Sequence, residues 1–138
     1  MASQAHVARA SAKARTIGWT FSGLAIAFLL MDAVMKLLAL PVVLETQAPL
    51  GFAGAATARG LGVLLLACTL LYAVPRTAVL GTILLTGYLG GAVATHLRVG
   101  DPLFSHVLFG VYLGALLWLG LYLRDARLRA LAPLRAVD

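Results

Sequence analysis

Four apolar runs, at about residues 17–40, 54–74, 78–98 and 104–123, occupy most of this 138-residue chain. Each is close to the roughly 20 residues that an α-helix needs to cross the hydrocarbon core of a bilayer. Soluble domains are typically about 45–50% apolar. Here the hydrophobic share is 62% and the mean hydropathy is +0.96, so the runs are read as membrane spans within a single domain. They leave no room for a separate soluble catalytic domain.

The net charge of +6 is arranged by position rather than spread as a nucleic-acid footprint. Arg9, Lys13 and Arg15 precede the first run, Arg76 lies between the second and third, and Arg124, Arg127, Arg129 and Arg135 follow the fourth. In a four-pass topology these share one side, the pattern that sets membrane orientation, and both termini are therefore expected in the cytoplasm. Basic residues are not interleaved with aromatic ones, so nucleic acid is not an expected partner. The basic ends add attraction to anionic membrane lipids. The single cysteine, Cys68, excludes an internal disulfide and a CxxC pair, and its mid-run position suits a small core residue.

Residues 1–15 are expected to be a disordered or interfacial basic segment, and 126–138 a basic cytoplasmic tail. The first run carries Asp32 and Lys36 with no small-residue cleavage site after it, so it is read as a retained helix rather than a signal peptide. Residues 41–53 form an apolar loop expected to lie on the bundle mouth, with Glu45 and Gln47 as its strongly polar groups. In the second run Arg59, Gly62, Leu66, Thr69 and Ala73 fall on one helical stripe that favours contact with other helices. Pro75-Arg76-Thr77 is a tight turn that makes the second and third helices antiparallel neighbours. Gly100-Asp101-Pro102 turns the chain again, and Trp118 and Tyr122 sit where an aromatic belt forms. The fold expected is an all-α, antiparallel four-helix transmembrane bundle over residues 16–125. Gly87 and Gly91, and likewise Gly110 and Gly114, have the small-xxx-small spacing of close helix contacts. The third helix is therefore expected to make the closest approach in the bundle, and the Gly-rich faces offer a route to homo-oligomers.

Three passages together resemble the DoxX-like family of small four-helix membrane proteins. They are Met35-Lys36-Leu37-Leu38, the Gly-rich segment from Gly81 to His96-Leu97-Arg98, and Pro102 through His106 running on to Trp118 and Asp125. The resemblance covers about residues 17–130 and is most specific in the third run. It implies a bacterial inner-membrane protein and links the chain to membrane redox partner proteins and quinone chemistry; it implies the fold more than an activity.

Charges at membrane depth are costly and turn inward, so Asp32, Lys36, Arg59, Tyr88, His96, Arg98 and His106 are the ligand-site candidates. Asp32 and Lys36, one turn apart, share a helix face as an ion pair or a ligand clamp. His96 and His106 should lie at similar depth, with His96 available for proton transfer or held by a neighbouring carboxylate. Lys36, Arg59 and His96 are expected to face one another across the outer end, above Tyr88. The inner half of the bundle carries almost no ionisable group. Two histidines without further ligands do not point to haem, and no metal site is expected. The functions weighed are a lipid- or quinone-binding membrane protein, a membrane enzyme doing acid–base chemistry of the isomerase type on a hydrophobic substrate, a proton-coupled exporter, and a structural or assembly subunit without ligand.

Overall fold

In the computed structural model residues 2–131 are described, with side chains from 12 to 130; of the expected basic tail, residues 132–138, Arg135 among them, lie outside. The described residues form α1 (Ala2–Leu37), α2 (Pro41–Gln47), α3 (Ala55–Ala73), α4 (Ala78–Val99), a π-helical turn (Leu103–Val107), α5 (Phe109–Arg124) and α6 (Ala126–Leu131). Four stretches are long and apolar enough to cross a membrane: Ala12–Leu37, Ala55–Ala73, Ala78–Val99 and Leu103–Arg124. Only 28–33% of each apolar window is buried within the chain. The rest is half-buried or exposed, and large apolar side chains such as Leu24, Met31, Val63, Ile83 and Val111 face outward, as lipid contact demands.

The bundle is a ring. α1 packs on α3, α3 on α4, α4 on α5, and α5 closes back on α1. Every neighbour in this ring is antiparallel. Leu29, Leu65, Leu85 and Leu117 supply a fully buried layer, one from each long helix, and the buried Cys68 joins this core.

Three local expectations are corrected. The first helix begins at Ala2, so residues 2–15 are helical rather than disordered. Its first turns are rich in alanine, the strongest helix former. The same helix stops at Leu37, short of Leu40, because Ala39 takes a left-handed backbone (φ 50°) and Pro41 starts a new helix at its N1 position. Residues 41–53 are therefore a short helix and a loop, not a loop alone. In α2, Val43 and Gln47, one turn apart, are the two buried residues.

The close helix approaches match expectation at Gly62 and Gly110 but not at Gly87 and Gly91. A Cβ on Gly87 or Gly91 would meet nothing within 4 Å, whereas one on Gly81 would lie 2.2 Å from Tyr72 N. Gly62 presses on Ala33 and Lys36, Gly110 on Leu89 and Val93, and Gly18 and Gly120 on each other's helices. Each ring contact thus has its own glycine, and the Gly87–Gly91 face has none of them. On α3 the buried face runs through Ala58, Gly62, Leu65, Thr69 and Tyr72, which retains Gly62 and Thr69 of the expected stripe but leaves Arg59 exposed.

Candidate functional site

Helices on a ring leave the diagonal between α1 and α4 open, and at the α2 end this gap widens into a cavity of about 560 Å³. Gly87 and Gly91 line it. Their missing side chains hollow the wall of α4 instead of drawing another helix in. Phe28, Phe52, Phe109 and Leu113 are among the apolar walls. Phe28 of α1 and Phe109 of α5 pack with ring centroids 5.3 Å apart.

Five of the seven candidate residues line this cavity: Asp32, Lys36, Tyr88, His96 and His106. Lys36 Nζ donates to Asp32 Oδ1 and is largely buried, at 12% side-chain exposure. Pairing within one helical turn offsets the cost of placing either charge at this depth.

The histidines are positioned by the end of α4. Gly100 adopts a left-handed conformation (φ 77°), its N–H donates to Leu97 O, and the Asp101 N–H reaches back to His96 O at 3.1 Å. This is a Schellman cap, and glycine permits it without a Cβ clash. The same cap brings the Asp101 carboxylate onto its own partner residue, where Oδ2 lies 2.6 Å from His96 Nδ1. A carboxylate only accepts, so this contact suits a proton on Nδ1 and points Nε2 away from Asp101. Pro102 then opens the π-helical turn, in which Leu108 N–H reaches Leu103 O at 2.8 Å. Its residue His106 lies edge-on to His96, with centroids 5.9 Å apart. Ser105 Oγ lies 2.8 Å from His106 Nδ1.

The other two candidates do not line the cavity. Arg59 is exposed and its Nε donates to Leu37 O at 3.3 Å, so it caps the end of α1 rather than facing Lys36 and His96. Arg59 lies one turn from Gly62 on the side of α3 that meets α1, and it is exposed because α1 ends at that level, at Leu37. Arg98 Nη2 donates to Leu50 O at 2.8 Å and ties the end of α4 to the loop after α2.

Gln47 was legible only as a polar group of a loop, yet it is buried at 8% exposure, lines the cavity, and its Oε1 has no hydrogen-bond partner. The signal was local: Pro41 at a helix start, with Val43 and Gln47 four apart. Sequence reasoning also missed a polar network at the opposite end, in the half expected to be nearly devoid of ionisable groups. Tyr72, fully buried, donates to Leu117 O at 3.0 Å and shares a 2.8 Å hydrogen bond with Ser22 Oγ. Arg124 Nη2 donates to Tyr72 O at 2.9 Å, and the guanidinium lies 4.3 Å from the centroid of Trp19 and 4.8 Å from that of Tyr72.

Four apolar helices in an antiparallel ring define a multi-pass membrane protein. The chain belongs to the DoxX-like family, whose model matches residues 20–120. That match spans all five cavity candidates, and Arg124 falls outside it. Neither the curated proteins nor the solved structures gave a match.

Proposed function

We propose that this DoxX-like protein binds a lipid- or quinone-like amphiphile in the cavity at the α2 end. The observation that carries the reading is the cavity's composition. A space of about 560 Å³ has aromatic and aliphatic walls, while an ion pair, two imidazoles, a tyrosine and an unpartnered amide converge on it. Pockets for small ligands have this size range and this division between apolar walls and a few placed polar groups. The apolar part of the ligand lies against Phe28, Phe109 and Leu113, and its polar head meets Lys36, Gln47 and His96. The arginine pattern orients both termini toward the cytoplasm of a bacterial cell, so the cavity opens near the outer face of the inner membrane. A subunit role in a membrane redox complex is the family-level part of this reading.

Acid–base chemistry on a hydrophobic substrate is the second reading. It is favoured by the Asp101–His96 pair, in which the carboxylate engages Nδ1 and orients the ring, the arrangement a general acid–base histidine uses.

Native mass spectrometry of the detergent-extracted chain tests the binding. The wild type should carry a bound amphiphile. Lys36→Met keeps the aliphatic stem and should lose that ligand with its helical circular dichroism intact. Equal ligand occupancy in both proteins, or none in the wild type, would refute the reading; a subunit serving only assembly predicts the latter.

A further inference from the structure

A second cleft, of about 280 Å³, opens at the opposite end of the bundle, where the first and fourth spans meet the turn between α3 and α4. Trp19, Arg76, Arg124, Asp125 and Arg127 line it. Three guanidinium groups and one carboxylate leave it with an excess of positive charge. Asp125 Oδ1 is already engaged by the Arg127 backbone N–H at 2.8 Å. Among the described residues none of the three arginines forms an ion pair.

Arg124 is held in place. Its backbone sits so close to Gly18 that a Cβ there would be 2.7 Å from Arg124 N. Its Nη2 is bound to Tyr72 O, and its plane lies over Trp19 and Tyr72. Nε and Nη1 are buried and meet no protein acceptor. The aromatic faces offset part of that deficit, and an oxygen acceptor entering the cleft would meet the rest. A fixed, planar guanidinium with unmet N–H groups recognises phosphate oxygens particularly well. The depth fits the same chemistry. Arg124 ends the fourth span, Arg76 lies between the second and third, and Trp19 sits inside the first. Tryptophan and arginine at the ends of spans suit the interface with the headgroups.

We propose that this cleft binds a phosphate group of net negative charge, one that no headgroup cation offsets, with Arg124 as its fixed donor and Arg76 and Arg127 closing on it from the rim. The site is separate from the cavity at the α2 end and stands or falls independently of it. The phosphate can belong to an anionic lipid headgroup or to a free anion, and the test separates the two.

The full chain in mixed micelles is offered phosphatidylglycerol and phosphatidylcholine at equal mole fraction, and retained lipid is read by native mass spectrometry. The wild type should retain the anionic lipid at least about tenfold over the zwitterionic one, the scale of one lost charge-assisted hydrogen bond. Arg76→Gln with Arg127→Gln leaves Arg124 between its rings and should lower that preference to about twofold or less. Arg124→Lys keeps the charge but not the planar fork, and should also lose it. Anionic-lipid retention indifferent to millimolar inorganic phosphate assigns the site to lipid. Phosphate that displaces the lipid, or that raises the melting temperature of the wild type but not of the double variant, assigns it to the free anion. Equal retention of the two lipids with no effect of phosphate overturns the proposal. So does an anionic preference that survives in the double variant.

Discussion

Gly81 and Gly91 lie on the same helix, α4, and differ in what a methyl group would meet there. At Gly81 the new Cβ would sit 2.2 Å from Tyr72 N and 2.6 Å from both Tyr72 Cα and Leu71 C, all backbone atoms of α3. Rotamer change cannot relieve such a clash, so α3 and α4 must separate by roughly 1 Å to approach ordinary contact. A gap of that size forfeits at least about a quarter of the dispersion energy of the atoms that face it. Leu85 and Thr82, fully buried on the same helix, would share the loss. A buried leucine makes some 40–60 contacts of about 0.1–0.2 kcal/mol each, so a quarter of Leu85 alone is about 1–3 kcal/mol. Gly81→Ala should therefore destabilise the bundle by roughly 2–4 kcal/mol, at or above the usual range for overpacking. Gly91→Ala meets open space and should change stability by less than about 1 kcal/mol, in the direction that helix propensity favours. Because both sites are helical glycines, propensity largely cancels in the comparison and the difference isolates the α3–α4 approach. Unfolding of both variants in mixed micelles with increasing SDS, followed by circular dichroism, gives that difference. Equal stabilities would refute the assignment of the close contact to Gly81, and greater damage from Gly91→Ala would reverse it.

Removing the Tyr72 hydroxyl by Tyr72→Phe deletes the bonds to Ser22 and to Leu117 O and should cost about 1–3 kcal/mol in the same assay. Gln47→Leu replaces an unpartnered buried amide with a side chain of similar size. It should stabilise the ligand-free protein by about 1 kcal/mol while lowering amphiphile retention by mass spectrometry, the trade-off expected of a binding group. Fluorescent-protein and alkaline-phosphatase fusions after the last residue should be active and inactive respectively, and the reverse result would overturn the orientation.

The spans, their antiparallel order and the two tight turns were legible in the residues themselves, because hydropathy, Gly and Pro act within a few positions along the chain. The Asp32–Lys36 pair belongs to the same class, since a separation of four residues fixes it on any helix. So does the nearness of His96 and His106, which the short Gly100-Asp101-Pro102 connection enforces. What the chain could not specify locally is the rotation of each helix about its own axis. A helix that is apolar nearly all round presents no polar face to read, so burial carries no periodic signal. That rotation is settled only when the backbones close on one another. It then determines that Gly81 rather than Gly91 is gripped, and that Arg124 is drawn between Trp19 and Tyr72. The cavity has the same origin: it is the unfilled diagonal of a four-membered ring, and it exists only where four helices fail to meet.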